Sequence, residues 1–232
     1  MPVNPNLSPE ARAILAEKTI VPVVGISAVG KDTVIERAIE LYGASDDMHR
    51  ASGFTTRPAT GNTANDTTYR AFLPNTKKAR ERIFVAAGDD ELIQFKEHPT
   101  TGYLYGTTLQ DYAGTFNVLP TLSGEVETLR GLGFRACKVI IICAKPSEWQ
   151  KRIERRNYTQ KALRQRIDEG IESLQWAFEN KHDVMWLSNP DGRLDVTAER
   201  FEDLMTVGDY DEALKKSSIK TAESLLNKLQ SL

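Results

Sequence analysis

Long apolar runs, cysteines and an excess of charge of either sign are all scarce in this 232-residue sequence. The longest continuous apolar stretch, Val139 to Ala144, is far too short to cross a membrane as a helix. A formal net charge of −2 lacks the basic excess that is typical of a dedicated nucleic-acid binder. We therefore expect neither a membrane protein nor a nucleic-acid partner.

The chain also has little that could form a disulfide or a zinc site. Its two cysteines, Cys137 and Cys143, fall in an apolar, strand-like segment and are expected to be reduced, buried thiols. The three histidines are scattered and show no zinc-binding spacing with cysteine. The first nine residues lack the positive region and apolar core of a signal peptide. These features predict a cytoplasmic protein.

What the sequence does contain is an alternation of strand and helix patterns, which favours an α/β fold with a parallel sheet and helices on both faces. The predicted strands are Thr19–Gly25, Asn117–Thr121, Lys138–Ala144 and Asp183–Ser188. The predicted helices are Pro9–Glu17 with Ser8 as N-cap, Asp32–Tyr42, Ser123–Gly131, Ser147–Arg155 opened by a Ser147/Gln150 capping box, and Gln160–Asn180. A polar, turn-rich stretch from Arg50 to Gly106 interrupts the alternation and predicts an antiparallel insertion.

A phosphate-binding loop is predicted where the first strand passes into the first core helix. Gly25 to Lys31 reads GISAVGK and matches the G-x-x-x-x-G-K pattern. Backbone N–H groups at a helix N-terminus can donate to phosphate oxygens, and glycines permit the close approach. Lys31 is expected to reach the β- and γ-phosphates of ATP and to stabilise charge during transfer. The pattern alone does not distinguish this loop from a glycine-containing turn that binds no ligand.

The loop predicts a set of ATP-binding residues and one metal ligand. The predicted ATP-binding residues here are Gly25, Ser27, Ala28, Val29, Gly30, Lys31, Asp32 and Thr33. Asp32 occupies the position where the pattern usually has a hydroxyl, so we assign coordination of Mg²⁺ to Thr33, which follows it. The Asp32 carboxylate also suits the positive end of the helix dipole.

Four blocks, in order, resemble the guanylate kinase family over about Ile20–Leu204. They read GISAVGKDT, FTTRPATGNTANDTTY, GYLYGTT and RIERRNYTQKALRQRI. The resemblance implies a P-loop NTPase fold with an acceptor-binding β-rich insertion and a helical lid. It also implies ATP- and Mg²⁺-dependent phosphorylation of a nucleoside monophosphate, with GMP or dGMP as the default acceptor.

The resemblance also divides the chain into segments. Residues 1–18 would be an N-terminal helical extension and 19–207 a guanylate kinase-like domain, with its core at 19–49 and 107–207, its acceptor-binding insertion at 50–106 and its lid at about 152–166. Residues 208–232 would form a C-terminal amphipathic helix, which we expect to dock on the core rather than to bind a partner.

In the resembling family an arginine and two tyrosines hold the phosphate of the acceptor. The matching positions are Arg57, Tyr69 and Tyr105, and Thr107 matches a hydroxyl that contacts the base. One planar guanidinium and two phenol hydroxyls fix a dianionic phosphate in direction as well as in position. Taken singly, the arginine could be an ordinary surface residue and the tyrosines the edge of a core.

The sequence departs from the family where guanine is read. Thr60 stands at the second phosphate-binding arginine, Gln94 at the guanine-reading glutamate, and Leu119 and Thr121 at an acidic pair. A carboxylate accepts charge-assisted hydrogen bonds from guanine, whereas a neutral amide both donates and accepts, so the preferred acceptor stays open. Gln94 and Thr121 remain the candidates for contact with the base.

An arginine-rich segment matches the lid of the family, whose arginines fold over the transferring phosphoryl group. Arg152, Arg156 and Arg166 are the candidates for this catalytic role, in which positive charge stabilises the transfer and closure excludes water. A solvated basic helix face is the structural alternative. Asn189 matches an asparagine that lines the adenine site, although a turn residue before proline explains it equally well.

Two other functions remain open beside a nucleoside monophosphate kinase. Ribose 1,5-bisphosphate phosphokinases share the fold, and their phosphate loop resembles the GKD sequence found here. The third hypothesis is a guanylate kinase-like interaction module without catalytic activity. The sequence leaves monomer and homodimer open.

Overall fold

The computed structural model describes residues 7–59, 69–88, 92–97, 101–208 and 211–232. The strands are β1 (Thr19–Val24), β2 (Met48–Arg50), β3 (Phe54–Thr55), β4 (Ala71–Phe72), β5 (Leu92–Glu97), β6 (Leu104–Thr108), β7 (Phe116–Thr121), β8 (Ala136–Cys137), β9 (Val139–Cys143) and β10 (Val184–Ser188). The helices are α1 (Pro9–Ala16), α2 (Lys31–Tyr42), α3 (Lys77–Gly88), α4 (Val126–Arg130), α5 (Pro146–Glu154), α6 (Gln160–Glu179), α7 (Leu194–Thr206) and α8 (Glu212–Gln230).

The core is a six-stranded sheet with the order β10-β9-β1-β7-β2, in which β8 also pairs with β1. Every one of these pairings is parallel. All six residues of β1 are buried, as expected for a central strand that helices cover on both faces. The predicted α/β class, a parallel sheet flanked by helices, is thereby confirmed.

The parallel order places the chain's polar loops at one edge of the sheet. Strands β1, β7 and β2 are neighbours, so the residues that follow their carboxyl ends converge there. These are the predicted phosphate loop after β1, Thr121 at the end of β7 and Arg50 at the end of β2. The cleft of a doubly wound sheet lies at such an edge.

A second sheet, with the order β4-β3-β6-β5, comes from the predicted insertion. Strand β6 runs antiparallel to both β3 and β5, whereas β3 and β4 are parallel. The small sheet has its own apolar cluster, formed by Phe54, Ile83, Leu92 and Leu104. Arg50, which the sequence placed at the start of the insertion, belongs instead to the main sheet through β2.

Of the two helix N-termini that the sequence predicted in detail, one is confirmed and one is wrong. The Ser8 hydroxyl accepts from the N–H of Ala11 at 3.1 Å, so the predicted N-cap of α1 is confirmed. The predicted capping box of Ser147 is wrong, because α5 begins one residue earlier at Pro146 and has Lys145 as its N-cap. Proline suits the first helical position since its ring fixes φ and the missing N–H has no intrahelical partner there. Helix α7 was not predicted.

The C-terminal helix α8 packs against β9, β10, α5 and α6. It buries Ala222, Leu225 and Leu229, and the Ser218 hydroxyl accepts from the N–H of Ser188 at 3.1 Å. No helix in the described ranges is long and apolar enough to pass through a lipid bilayer.

Both cysteines lie in the parallel sheet as free thiols. Burial raises the pKa of Cys137 to about 11 and that of Cys143 to about 12. Because the thiolate is the reactive form, neither side chain is a nucleophile near neutral pH.

Candidate active site

The loop between β1 and α2 has the geometry of a helix-capping turn. Gly30 is the N-cap of α2 and has a φ of 92°, in the left-handed region that favours glycine. A Cβ atom at this position would lie 2.4 Å from Nδ2 of Asn189. Helix α2 then starts at Lys31, so the first N–H groups of the helix face the end of the loop without intrahelical partners.

Three buried or partly buried side chains hold the carbonyl groups of the loop. The indole N–H of Trp149 donates to the Ser27 oxygen at 3.0 Å. The Val29 oxygen accepts from Arg152 at 2.9 Å and from the Asn189 amide at 2.8 Å. Because these carbonyl groups are tied back towards α5 and β10, the loop is fixed from behind.

Lys31 lies in the wall of the cleft and donates to the Gly25 and Ile26 oxygens at 2.5 and 3.3 Å. Desolvation lowers the pKa of its ammonium group to about 8, with a smaller opposing effect from the charge of Asp32. A phosphate group would offer this ammonium charge-assisted bonds in place of neutral carbonyl partners.

Helix α6 crosses close to the loop at a glycine. A Cβ atom on Gly170 would lie 2.4 Å from Cδ1 of Ile26, so only glycine allows this approach without a shift of Ile26. Arg166 stands one turn earlier on the same helix and lines the cleft. Its guanidinium pairs with Glu169 at 2.6 Å. The close contact at Gly170 therefore places an arginine over the phosphate loop.

A single cleft of about 360 Å³ joins the loop to the small sheet. Among its lining residues are most of the predicted site, namely Gly25, Ser27, Lys31, Asp32, Arg57, Tyr69, Gln94, Tyr105, Thr107, Thr121 and Arg166. Five basic and three acidic side chains line it, which leaves a positive excess suited to anions such as phosphates.

At the end of the cleft near the small sheet, an arginine and two tyrosines form a cluster. The Arg57 guanidinium lies 5.5 Å from the centre of the Tyr69 ring, and the Tyr69 and Tyr105 rings are 5.7 Å apart. Desolvation raises the pKa of Tyr69 to about 12 and also raises that of Tyr105, so both phenols keep their protons at neutral pH. The three predicted acceptor residues are thus close enough to contact one small ligand.

A buried acid that sequence reasoning missed lies at the same end. Glu125 accepts from the Gln94 amide at 3.0 Å and from the Lys96 ammonium at 2.8 Å. Its side chain is only 7% exposed, and all three residues line the cleft. Its position just beyond the carboxyl end of β7 was the signal that could have identified it. The Thr107 hydroxyl nearby is bonded to the Tyr112 hydroxyl at 2.7 Å.

Other predicted residues lie elsewhere. Thr33 is exposed and is not one of the described residues that line the cleft. Asn189 and Arg152 lie behind the phosphate loop, where Arg152 also pairs with Asp191 at 2.6 Å. Arg156 is exposed beyond the end of α5. The contacts of these four residues with ATP or Mg²⁺ stay predictions, and Thr60 lies outside the described residues.

The residues of the cleft fit a magnesium–nucleotide complex. No group of three or more His, Cys, Asp or Glu side chains in the described part of the chain could hold a metal ion by itself. Mg²⁺ needs no such group, since in nucleotide sites one or two protein oxygens join the oxygens of the phosphates. The carboxylate of Asp32, which is at the first turn of α2 and in the cleft and which accepts from Arg50 through Oδ1, would supply an oxygen of this kind.

Comparisons with known proteins give distant structural similarity and no sequence match. The chain is similar to the crystal structure of guanylate kinase from Anaplasma phagocytophilum, with a TM-score of 0.47 and 17% identity over 89% of this chain and 93% of that one. It is also similar to a structure from the PezAT chromosomal toxin–antitoxin system of Streptococcus pneumoniae, with a TM-score of 0.35 and 12% identity over all of both chains. No protein-family profile matches, and no curated protein matches. Both TM-scores lie below 0.5.

Proposed function

We propose that this chain is an ATP-dependent kinase that phosphorylates a small, already phosphorylated acceptor. One observation carries the proposal: a single cleft combines a phosphate loop containing Lys31 with the cluster of Arg57, Tyr69 and Tyr105. The two ends suit two different phosphate groups, and phosphoryl transfer requires them to be held near each other.

In the proposed reaction, an oxygen of the acceptor's phosphate attacks the γ-phosphorus of ATP. The bond from that phosphorus to the bridging oxygen breaks, and ADP leaves with the bonding electron pair. Mg²⁺, when bound, would neutralise charge on the β- and γ-phosphates. Backbone N–H groups at the start of α2 and the ammonium of Lys31 would hold the same phosphates.

The remaining residues have positioning roles in this proposal. Arg57 and the phenols of Tyr69 and Tyr105 would orient the acceptor's phosphate for in-line attack. Arg166 would stabilise charge on the transferring group from above the loop. Trp149, Arg152 and Asn189 would keep the loop in its binding conformation through the carbonyl groups that they hold.

GMP or dGMP is the default acceptor by resemblance, and ribose 1,5-bisphosphate is the second candidate. The contact between Gln94 and Glu125 supports keeping the second candidate. Guanine offers two donors to a carboxylate, but here the amide of Gln94 stands at that position and the buried carboxylate already accepts from Gln94 and Lys96. A carboxylate that must give up these hydrogen bonds before it binds guanine selects guanine less strongly than a free carboxylate does.

A coupled assay of ADP release tests the activity. Wild-type protein is incubated with Mg·ATP and, one at a time, every nucleoside monophosphate, every deoxynucleoside monophosphate and ribose 1,5-bisphosphate. We expect at least one acceptor to stimulate ADP release, and Arg57→Gln to raise its KM about tenfold or more with little change in ATP affinity. Arg37→Gln is the matched control, because Arg37 pairs with Asp195 and Glu40 outside the cleft.

The same assay, together with calorimetric titration of Mg·ATP, separates the kinase from a silent interaction module. A module without catalytic function would bind no ATP and would release no ADP with any acceptor. Stimulation by none of the acceptors, together with undetectable ATP binding, would therefore exclude the kinase.

A further inference from the structure

Arg50 is a cleft residue that neither the motif nor the resemblance singled out. It ends β2 and reaches across to the first turn of α2, where its guanidinium donates to the Asp32 carboxylate at 2.5 Å. Its side chain is only 12% exposed. The residue therefore places a largely buried positive charge beside the phosphate loop.

Two of the donor atoms of Arg50 are buried without a hydrogen-bond partner among the described residues. They are Nε and one terminal nitrogen, Nη1. Nη1 lies 3.8 Å from the Glu36 carboxylate, within range of an ion pair but beyond hydrogen-bond distance. A buried donor without a partner is costly, and such atoms in a cleft mark the place of a ligand oxygen.

The position of Arg50 links the two ends of the cleft. Through Asp32 it touches the start of α2, and it lines the same space as Tyr69 and Arg57. The pKa of Tyr69 is raised mainly by desolvation, and the charge of Arg50 is among the smaller effects that oppose this rise. Arg50 thus lies between the region proposed for ATP and the region proposed for the acceptor's phosphate.

We propose that Arg50 is a phosphate-binding residue, whose donors without a hydrogen-bond partner contact oxygens of the acceptor's phosphate or of the transferring group. This proposal rests on the proposed kinase function for the identity of the anion, but not for the site itself. A planar guanidinium held at one corner by Asp32 presents its other N–H groups in a fixed direction, which suits recognition of phosphate oxygens.

Titration calorimetry with inorganic phosphate tests the site. Phosphate is titrated into the full chain, alone and with a saturating ATP analogue that cannot be hydrolysed between its β- and γ-phosphates. The analogue fills the loop, so the second titration reports on the remaining anion site.

We expect Arg50→Gln to weaken phosphate binding about tenfold or more in both titrations. Arg50→Lys should give an intermediate loss, since it keeps the charge but not the planar fork. Arg37→Gln, which removes an arginine of α2 that pairs with Glu40 and Asp195 outside the cleft, should leave phosphate binding unchanged.

Repeating the Arg50→Gln titration in an Asp32→Asn background distinguishes direct contact of Arg50 with phosphate from an effect that acts through Asp32. If Arg50 only neutralised Asp32, its removal would expose a carboxylate that repels phosphate, and the loss would vanish in an Asp32→Asn background. Our proposal predicts that the loss persists there. A wild-type chain that binds no phosphate, or a loss confined to the chain with Asp32 intact, would overturn it. Absence of binding to the ATP analogue, with the Arg50 effect on phosphate retained, would refute the kinase function and leave this site standing.

Discussion

At the scale of single residues, the charges in the cleft are mostly paired within the cleft itself. Three of its cations, Arg50, Lys96 and Arg166, each contact an acid that also lines the space. Lys31 differs, because its ammonium donates to backbone carbonyl groups and its pKa is lowered. These two kinds of charge lead to different predictions.

The lowered pKa of Lys31 predicts a pH-dependent affinity for ATP. The free protein loses the proton of Lys31 near pH 8, whereas bound phosphates favour the charged form. Binding must then take up a proton, so the ATP affinity should fall above about pH 8 by up to about tenfold per pH unit. Calorimetry between pH 7 and 10 measures the dissociation constant. Lys31→Arg keeps its charge throughout, and any affinity that it retains should be flat over this range; a flat wild-type profile would contradict the assignment.

The ion pair of Lys96 and Glu125 predicts coupled effects on stability. Lys96→Met leaves a buried carboxylate without its cation and should lower the free energy of unfolding by roughly 2 kcal/mol. In a Glu125→Gln background the same substitution should cost much less, because no charge is left behind. Urea unfolding of the two single variants and the double variant gives the coupling. Losses that simply add would mean that the two side chains do not depend on each other.

Short motifs in the sequence pointed to residues that the structure gathers in one cleft. Gly25, Ser27, Lys31, Arg57 and Tyr69 each lie within a compact pattern and line this cleft, and their contacts with ligands stay predictions. Arg50 and Glu125 were missed, since their importance depends on which strands are neighbours in the sheet, and no local pattern encodes that. The predicted place of Asn189 at the adenine site stays a prediction, whereas the contact that the structure shows, from its amide to the Val29 carbonyl 160 positions away, had no signal in the sequence.

At the scale of elements, helix α6 determines where Arg166 stands relative to the loop. The helix was predicted from its periodicity, and its observed range, Gln160–Glu179, differs from the prediction by one residue. Its crossing point at Ile26 could not be predicted, because it depends on a glycine meeting a side chain far away in sequence. This contact can be tested by filling the space.

Gly170→Ala should destabilise the protein although alanine favours helices. Helix propensity alone would add about 1 kcal/mol of stability, but the new methyl group overlaps Ile26, and overpacking typically costs about 1–3 kcal/mol. In an Ile26→Ala background the same change should cost much less, because the two nearest atoms, Cδ1 and Cγ1 of Ile26, are gone and only its Cβ remains, at 3.0 Å. Urea unfolding gives these free energies, and ATP affinity should follow the same pattern.

The matched control for Gly170 is Gly124→Ala. A Cβ atom at Gly124 would meet nothing within 4 Å, so the substitution should have little effect on stability or ATP affinity. A Gly170→Ala variant that is more stable than wild type while Ile26 is intact would show that α6 is not packed closely on the loop.

At the scale of the whole molecule, one parallel sheet and one small attached sheet create a cleft between them. The alternation of strand and helix patterns was sufficient to predict the main sheet, and the polar interruption was sufficient to predict the insertion. The order β10-β9-β1-β7-β2 is what brings the phosphate loop, Arg50 and Thr121 to one edge. The proposed kinase activity therefore requires that this edge hold the phosphates of a nucleotide.

Calorimetric titration of Mg·ATP into wild-type protein and Lys31→Ala tests that claim most directly. Lys220→Ala, an exposed lysine on α8, controls for the loss of one positive charge. We predict a single binding site for wild type and Lys220→Ala, and a loss of about thirtyfold or more for Lys31→Ala, because a charge-assisted contact with phosphate is removed. Equal affinity of Lys31→Ala and wild type, or no binding by wild type, would contradict the account.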